Sequence, residues 1–518
     1  MSIKRLSKEL IKYILAENPT LDNINNKKIE LAAKYKIKKI PLNSEILPYV
    51  KPKDKPQIMG RLSVKDVRAL SGVNVVAVMA KPNKCPHGKC IYCPGGIGQN
   101  VPQSYTGFEP ATMRAIANKF DPYKQTKNRI EQLENVGHDV SKIELIIMGG
   151  TFNAQPYSYQ CRFVKKIYDA LSNKQSNTFG EAKLNVEKSK YRPVGLTIET
   201  RPDMCAEKDI KKLLNLGTTR VEVGVQSPSN KIYVLTNRCH TLNDVVKATR
   251  LLKDSGLKVL YHIMPGLFST PSKDVKMFSK LFTDEKYKPD MLKIYPALVM
   301  PNTKLYSLWK QNKFKPYNDK DLFDFLIRFY PKVPYWNRIM RIQRDIPITR
   351  ISDGPKLSNM REQVLNYCTK NNVKLKEIRS RQLGFTKSKI DKYKVFIENY
   401  KASKGIEYFI SYESENRDQI LGFLRLRFPH KPFIKEIKES ALVRELHVYG
   451  RIVPVNKKSQ NIGQGQHQGI GKLLLKNAET VAKQNNYNKI SVLAGLGVRG
   501  YYYKLGYFRD NYYVSKNI

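Results

Sequence analysis

The chain has 518 residues, more than one hydrophobic core can organise, and this length predicts two to four domains. Hydrophobic residues make up 41% of the sequence, which argues against an intrinsically disordered chain. No apolar run reaches the roughly 18 residues that a transmembrane helix needs, and the basic N-terminus lacks the apolar core of a signal peptide. We therefore expect a cytoplasmic protein with no membrane partner.

Basic residues outnumber acidic residues by a wide margin. The sequence contains 92 lysines and arginines against 45 aspartates and glutamates, a formal net charge of +47. A surplus of this size attracts phosphate groups at long range, so it predicts a nucleic-acid partner. The composition bias of an AT-rich genome is an alternative explanation for the lysines. That bias should also raise glutamate, yet acidic residues are scarce.

Residues 1–70 form a basic segment with a mostly helical pattern and no residues that indicate chemistry. Two interpretations remain open at this point. The segment is either an accessory cap on the domain that follows or a surface that faces the nucleic acid.

Residues 71–310 alternate between short β-branched runs and helical patterns, which is typical of an α/β domain with a parallel sheet. Six strand–helix units in a row predict a full or partial barrel. The predicted strands are Val73–Met79, Ile143–Met148, Val194–Ile198, Arg220–Val225, Lys258–Met264 and Met291–Tyr295.

Polar residues and glycines follow the ends of these predicted strands, where parallel barrels place their sites. They are Cys85–Cys93, Gly149, Gly150, Glu199, Gln226, His262, Pro265, Lys293 and Tyr295. The glycine pair lets a ligand approach bare backbone, although a simple tight turn is the alternative. We take Gly149, Gly150, Glu199 and Gln226 as candidates for cofactor contacts. Lys293 and Tyr295 are candidate positioning groups or electron relays, with packing at the barrel rim as the alternative.

Three of the seven cysteines form a tight group, Cys85, Cys90 and Cys93. Three thiolates leave one iron of a [4Fe–4S] cube without a protein ligand, and that iron can bind S-adenosylmethionine for radical chemistry. Structural zinc with His87 as fourth ligand is the alternative, but this spacing is cramped for a closed tetrahedral site. The other cysteines occur singly, which is typical of small buried side chains rather than a disulfide framework.

Residues 311–385 are rich in arginine, lysine and proline, and we assign them to a basic connector between domains. Arg338, Arg341, Arg344 and Arg350 form a basic run in this connector. The run is either solvated or part of the nucleic-acid-binding face.

Residues 386–518 change to a meander-like strand pattern, followed by a glycine-rich turn that opens a helix. The turn, Gln466–Lys472, contains Gln-x-x-Gly-x-Gly, the pyrophosphate loop of acetyl-CoA-binding acetyltransferases. Free N–H groups at a helix start bind anions, and glycines permit close approach. The preceding strand, Arg444–Tyr449, can pair with the pantetheine arm. These features predict a GNAT-type α/β acetyltransferase domain.

The segment Arg499–Tyr507 matches the helix-to-final-strand closure of that fold. A tyrosine in this segment can act as an acid on the leaving thiolate. Motif alignment favours Tyr502 over Tyr501 and Tyr503, and a core tyrosine is the alternative.

Taken together, the motifs resemble the catalytic subunit of Elongator, including its stand-alone archaeal and bacterial relatives, from about Gly72 to the C-terminus. The segments that carry the resemblance are Ala80–Pro82, Tyr92–Gly96, Gln103–Gly107, Met148–Phe152, Glu199–Asp203, Gly224–Ser227, Lys293–Pro296, Gln343–Pro347 and Arg444–Gly450. The resemblance implies a tRNA acetyltransferase that makes 5-carboxymethyluridine at the wobble position by radical chemistry. It also implies tRNA and an electron donor as partners, and it leaves open whether other Elongator subunits accompany the chain.

By the same resemblance, three cofactors are implied: a [4Fe–4S] cluster, S-adenosylmethionine and acetyl-CoA. The cysteine group would hold the cluster. The residues implied for acetyl-CoA are Lys142, Glu445, Leu446, His447, Val448, Ile470, Gly471, Lys472 and Tyr502.

The sequence also departs from the family pattern. Cys239 stands where a glycine is expected, and only Cys368 lies near the connector, so a second metal site is in doubt. The four-residue gap between Cys85 and Cys90 is the short, archaeal-like form. Residues 1–70 match only loosely.

Two other functions remain to be weighed. A histone lysine acetyltransferase with a structural cluster would need only a base such as Glu445, but histone tails are basic and the chain is strongly basic too. A non-catalytic tRNA-binding scaffold would not need the intact cysteines and the intact glycine loop.

Overall fold

The computed structural model describes residues 2–37, 40–51, 54–62, 72–382, 392–450 and 469–518. The first four helices are α1 (Ser2–Glu17), α2 (Leu21–Lys34), α3 (Asn43–Ile46) and α4 (Lys55–Leu62). Leu6, Leu10 and Ile14 repeat every four residues on α1, so they form one apolar face. That face packs on Ile24 and Leu31 of α2, in a core of its own.

A parallel sheet of seven strands follows, in chain order from one edge to the other. The strands are β1 (Asn74–Met79), β2 (Lys142–Met148), β3 (Arg192–Thr200), β4 (Arg220–Gln226), β5 (Lys258–Ile263), β6 (Met291–Ile294) and β7 (Arg338–Ile342). Within the described chain, neither β1 nor β7 pairs with a strand on its outer side. The sheet is therefore a half-barrel with an open side.

Helices lie between these strands and after the last of them. They are α5 (Pro110–Ala117), α6 (Pro122–Asn135), α7 (Tyr157–Ser172), α8 (Phe179–Glu187), α9 (Glu207–Asn215), α10 (Asn230–Leu235), α11 (Leu242–Asp254), α12 (Pro271–Thr283), α13 (Lys304–Lys310), α14 (Asp319–Phe329), α15 (Met360–Lys370) and α16 (Ile378–Arg381).

All six predicted strands are present, and the predicted α/β fold class is confirmed. The seventh strand, Arg338–Ile342, was not predicted and falls in the segment assigned to a connector. Arg338 and Arg341 interrupt its apolar pattern, because both side chains line the interior of the half-barrel. The basic run of the connector is thus not simply solvated.

The second sheet is mixed, with the strand order β13-β14-β12-β11-β10-β9-β8. Its elements are β8 (Tyr393–Ala402), β9 (Gly405–Ser414), β10 (Ile420–Phe428), β11 (Ala441–Val448), α17 (Ile470–Gln484), β12 (Lys489–Val492), α18 (Arg499–Tyr503), β13 (Phe508–Asp510) and β14 (Tyr513–Asn517). The apolar face of α17 covers one side of this sheet with Leu474, Ala478 and Ala482.

The other side of the second sheet packs on the half-barrel, and buried ion pairs cross this junction. Arg444 on β11 binds Asp290, which lies just before β6, at 2.6 Å and Glu407 on β9 at 2.7 Å. Arg427 on β10 binds Asp254 at the end of α11 at 2.6 Å. All of these side chains are at most 1% exposed, so each charge needs its partner.

No helix among the described residues is both long enough and apolar enough to cross a membrane.

Candidate functional site

A cavity of about 1850 Å³ occupies the interior of the half-barrel. It brings together most of the polar residues predicted at the strand ends. Those that line it are Cys85, Cys90, Cys93, Gly150, Glu199, Gln226, His262, Lys293 and Tyr295. The same cavity reaches His447 of the second sheet. One continuous space therefore joins the cysteine loop to the predicted acetyl-CoA strand.

The cysteine loop follows β1 and holds three free thiols, with Cys90 and Cys93 buried and Cys85 half-buried. The Ser104 amide donates to Cys93 Sγ at 3.1 Å, and Thr151 Oγ1 lies 3.6 Å from Cys85 Sγ. Burial raises the pKa of the Cys85 and Cys93 thiols. A cationic group such as iron is needed to hold these sulfurs as thiolates.

Two side chains contact the sulfur of Cys90. His87 Nε2 lies at 3.2 Å and Arg238 Nη1 at 3.5 Å. Burial lowers the pKa of His87 to about 4, so its imidazole is neutral near pH 7. A neutral imidazole beside three cysteines is compatible with zinc as well as iron.

The glycine pair at the end of β2 is required by its surroundings. Gly149 has φ +132° and Gly150 has φ +83°, a region that favours glycine. A Cβ on Gly150 would lie 3.1 Å from the carbonyl oxygen of Gln103. Gly150 therefore packs closely against the chain beyond the cysteine loop and leaves its bare backbone at the cavity wall.

A buried polar cluster spans three strands in the cavity wall. Glu222 on β4 accepts hydrogen bonds from His262 Nε2 on β5 at 2.7 Å and from Lys293 Nζ on β6. Burial opposes ionisation of Glu222, but the charge of Lys293 and the His262 bond hold its pKa below the usual range. The pKa of Lys293 is raised, since Glu222 outweighs the effect of burial. The cluster presents a fixed cation to the cavity.

Sequence reasoning missed Glu222 and Tyr105, whose hydroxyl donates to Glu199 at 2.7 Å. A signal for Glu222 was available. Glu222, Gly224 and Gln226 line the cavity at every second position of β4, and this alternation marks one face of a strand.

Arg344, which follows β7, lies at the edge of this cavity. It donates to the carbonyl oxygen of Ser104, and its guanidinium lies 5.2 Å from the ring centre of Tyr105 and 5.9 Å from that of Tyr295. Arg350 lies 3.7 Å over the ring of Phe108. These cation–aromatic contacts join the end of β7 to the chain beyond the cysteine loop.

The second sheet offers an open backbone edge beside the cavity. β12 pairs with β11 only at Ala441–Val443, so residues 444–447 have no partner strand on that side among the described residues. Leu446, His447 and Val448 are half-buried there. An extended ligand arm can pair with this edge as a strand does.

Glu445 and His447 differ in charge and in how firmly their side chains are held. The carboxylate of Glu445 accepts from Arg425 Nε at 2.8 Å. Burial opposes ionisation, but Arg425 and Lys258 hold the pKa of Glu445 below its usual value. Burial and the Arg338 charge lower the pKa of His447 to about 4. His447 is therefore a neutral imidazole near pH 7, whereas Glu445 is held in an ion pair.

The start of α17 lies next to this edge. Gly469 caps the helix with φ +83°. Ile470 is buried in the core of the second domain, and Lys472 is exposed. A Cβ on Gly471 would lie 2.7 Å from the hydroxyl of Tyr501. The predicted loop residues Gln466–Gln468 fall outside the described chain.

The structure separates the three candidate tyrosines. Tyr502 is 5% exposed, in contact with the rings of Tyr501 and Tyr507, and burial raises its pKa. Tyr503 donates to Glu187 at 3.0 Å. Tyr501 alone among the three has its hydroxyl beside Gly471. The role of Tyr502 stays a prediction, and Tyr501 is a candidate that motif alignment passed over.

Lys142 lies at the start of β2, at the opposite end of that strand from the glycine pair. Burial lowers its pKa. Its register partner on β3 is Arg192, whose backbone contacts Gly497 of the second domain. Lys142 is thus at the junction of the two sheets rather than at the cysteine loop.

Comparison with known proteins adds independent information. The radical SAM superfamily model matches residues 80–281, and the Radical_SAM C-terminal domain model matches residues 289–370. The tRNA uridine(34) acetyltransferase of Methanocaldococcus jannaschii is 48% identical over 530 residues, covering 99% of this chain and 98% of that protein. Human Elongator complex protein 3 is 40% identical, covering 95% of this chain and 93% of that protein. The chain belongs to the Elongator complex protein 3 family.

A solved member of the Elongator complex protein 3 family has the same fold. The Methanocaldococcus infernus protein lacking residues 1–46 matches with a TM-score of 0.76 and 43% identity, over 86% of this chain and 99% of that one. The family predicted from the sequence motifs is confirmed.

Radical SAM membership implies a [4Fe–4S] cluster and S-adenosylmethionine. The residues present fit both: three cavity-facing thiols with a stabilising amide, and a glycine pair that a Cβ would crowd.

Proposed function

We propose that this chain modifies the wobble uridine of tRNA with acetyl-CoA and makes 5-carboxymethyluridine. The observation that carries the proposal is the single cavity lined by both the cysteine loop and His447. In the net reaction, a carbon–carbon bond forms between the acetyl methyl carbon and C5 of uracil. Each carbon loses one hydrogen. S-adenosylmethionine would be the oxidant, taking up the two electrons and one proton as it gives methionine and 5′-deoxyadenosine, while the second proton goes to solvent. Water then cleaves the thioester.

At one end of the cavity, Cys85, Cys90 and Cys93 would ligate the cluster. Gly150, Glu199 and Gln226 line the adjoining wall, and they would contact S-adenosylmethionine. When bound, the two cofactors supply a carbon-centred radical that removes hydrogen from unactivated C–H bonds.

At the other end, the open edge at Glu445–His447 pairs with the pantetheine arm of acetyl-CoA. The start of α17, at Ile470–Lys472, offers free N–H groups to the pyrophosphate. Lys142 lies near the junction and contributes positive charge to this anionic ligand. Tyr501 or Tyr502 donates a proton to the thiolate that leaves.

The uracil enters the cavity between these two ends, and it must leave its base stack to do so. The rings of Tyr105 and Tyr295 provide faces on which the base can stack, and Arg344 lies against both. The Lys293 ammonium, held by Glu222, donates to a carbonyl oxygen of the base. The basic surface of the chain binds the rest of the tRNA, and an electron donor serves the cluster.

The rival function, lysine acetylation on histones, requires a free base near the thioester. Glu445 is a poor candidate, because its carboxylate is held by Arg425 at 2.8 Å. No specific contact in the described chain favours this rival.

Nucleoside mass spectrometry tests the proposal. The anaerobically reconstituted protein is given reductant, S-adenosylmethionine, methyl-labelled acetyl-CoA and unmodified tRNA. Labelled 5-carboxymethyluridine at the wobble position is the expected product, and Cys90→Ala should abolish it. Release of 5′-deoxyadenosine without labelled nucleoside would overturn the assigned substrate. Labelled lysine on added histone, with neither nucleoside product, would favour the rival.

A further inference from the structure

The segment that links α10 to α11, residues 236–240, is fixed on the cysteine loop. The Ile91 amide donates to the carbonyl oxygen of Thr236 at 3.2 Å, and Asn237 Nδ2 donates to that of Lys89 at 2.9 Å. Asn237 and Cys239 have φ +53° and +52°, a region that costs energy for any residue other than glycine. This costly backbone places the side chain of Arg238 under the loop.

Arg238 is 6% exposed, and its guanidinium contacts the sulfur of Cys90. Nη1 lies 3.5 Å from Cys90 Sγ, and Nη2 donates to the carbonyl oxygen of Gly224. Nε is buried and has no hydrogen-bond partner among the described residues. The guanidinium is thus aimed at one sulfur by a fixed backbone contact.

No carboxylate of the described chain forms an ion pair with Arg238, although a buried cation normally requires one. The neighbouring Arg201 shows the contrast. Its guanidinium binds Asp203 through two hydrogen bonds of 3.0 and 3.1 Å, and it also donates to the carbonyl oxygen of Arg238 at 2.8 Å. The charge of Arg201 is therefore balanced by a carboxylate. The charge of Arg238 has no carboxylate partner in the described chain, and the Cys90 sulfur is the group beside it that can carry a negative charge.

We propose that Arg238 sets the reduction potential of the iron–sulfur cluster. The inference rests on the proposed function, which assigns Cys90 as a cluster ligand. The reduced cluster carries one more negative charge than the oxidised cluster. A fixed cation at 3.5 Å from a ligand sulfur, in a buried site, stabilises the reduced form more strongly. Arg238 thereby makes the cluster easier to reduce by its electron donor.

A redox titration of the reconstituted full chain, followed by electron paramagnetic resonance, tests this role. Arg238→Gln removes the charge, and we expect at least a tenfold loss in the reduction equilibrium, which is about 59 mV for one electron. Arg238→Lys keeps the charge and should shift the midpoint much less. Arg341→Gln is the matched control, since Arg341 lines the same cavity but has no contact with a cysteine.

Iron content separates the two levels of the proposal. A wild-type chain that binds no cluster contradicts the proposed function. If Arg238→Gln alone fails to bind iron, Asn237→Ala takes its place, because its exposed side chain holds the same segment. The substitution should move the midpoint in the same direction by a smaller amount. An unchanged midpoint in every variant that binds the cluster would overturn the role of Arg238.

Discussion

Glu222 binds two side chains in the cavity wall, His262 and the Lys293 ammonium, so its carboxylate holds that part of the wall together. It is fully buried and accepts from both His262 and Lys293. Removing one partner from a buried ion pair leaves the other charge uncompensated. The resulting loss of stability exceeds the stability that the intact pair contributes.

Glu222→Gln should therefore lower the free energy of unfolding by about 3–5 kcal/mol, measured by urea denaturation. Asp324→Asn is the control, because it breaks an exposed pair with Arg328 whose worth is at most about 1 kcal/mol. Equal losses of unfolding free energy in the two variants would show that the buried pair contributes no more to stability than the exposed pair.

His447 gives a pH dependence of known sign. Its pKa in the folded chain is about 4, against about 6.5 for an unfolded histidine. As pH falls from 6.5 towards 4, the unfolded chain takes up a proton first, so this residue lowers stability in that window.

His447→Phe keeps an aromatic ring and removes the proton site. The variant should gain thermal stability relative to the wild type as pH falls from 7 to 5, compared by calorimetry at matched ionic strength. A difference between the two melting temperatures that stays constant with pH would contradict the lowered pKa of His447.

At the scale of single elements, α17 depends on a glycine where it begins. A Cβ added at Gly471 would lie 2.7 Å from the Tyr501 hydroxyl oxygen and 3.6 Å from Cζ, the ring carbon that carries it. Of these two atoms, only the hydroxyl oxygen would clash with an added methyl group.

Gly471→Ala should weaken acetyl-CoA binding at least tenfold, about 1.4 kcal/mol, measured by calorimetry. Tyr501→Phe combined with Gly471→Ala removes the clashing oxygen and should recover part of that loss. Gly500→Ala is the control, since nothing lies within 4 Å of its added Cβ. Equal weakening by Gly500→Ala and Gly471→Ala would contradict the assigned contact.

The elements also show what the sequence could predict. Six strands of the half-barrel were predicted because each is a short β-branched run, and several are buried on both faces. β7 was missed because two of its arginines point into the cavity, which disguises a strand as a charged connector. β8 (Tyr393–Ala402) is hard to predict for a related reason, since many of its side chains are exposed and polar.

Some residues of the candidate site could be predicted from the sequence and others could not. The cysteines are neighbours in the sequence, so their grouping was predictable from spacing alone. Glu222, His262 and Lys293 meet only through the register of three parallel strands, and Arg238 reaches Cys90 from a segment 148 residues away. Such contacts depend on tertiary packing, which a single sequence does not specify.

Across the whole molecule, the half-barrel and the second sheet share one hydrophobic core and one network of buried ion pairs. Arg444 binds Asp290 on the barrel side and Glu407 on the second sheet. The two domains should consequently lose stability together when this side chain is removed.

Arg444→Met should lower the free energy of unfolding by about 3–5 kcal/mol. Hydrogen-exchange mass spectrometry should show faster exchange in β6 and β11 alike. Faster exchange confined to β11 would indicate that the two domains open independently.

The open side of the half-barrel determines which molecules can enter the cavity. Neither β1 nor β7 is paired on its outer side among the described residues, so the sheet forms an open half-barrel rather than a closed barrel. A closed barrel admits only molecules that enter through one end, whereas an open half-barrel also admits molecules from its side. A long polymer can therefore present one unit to the interior while the units before and after it stay outside, with no need for threading or a free end.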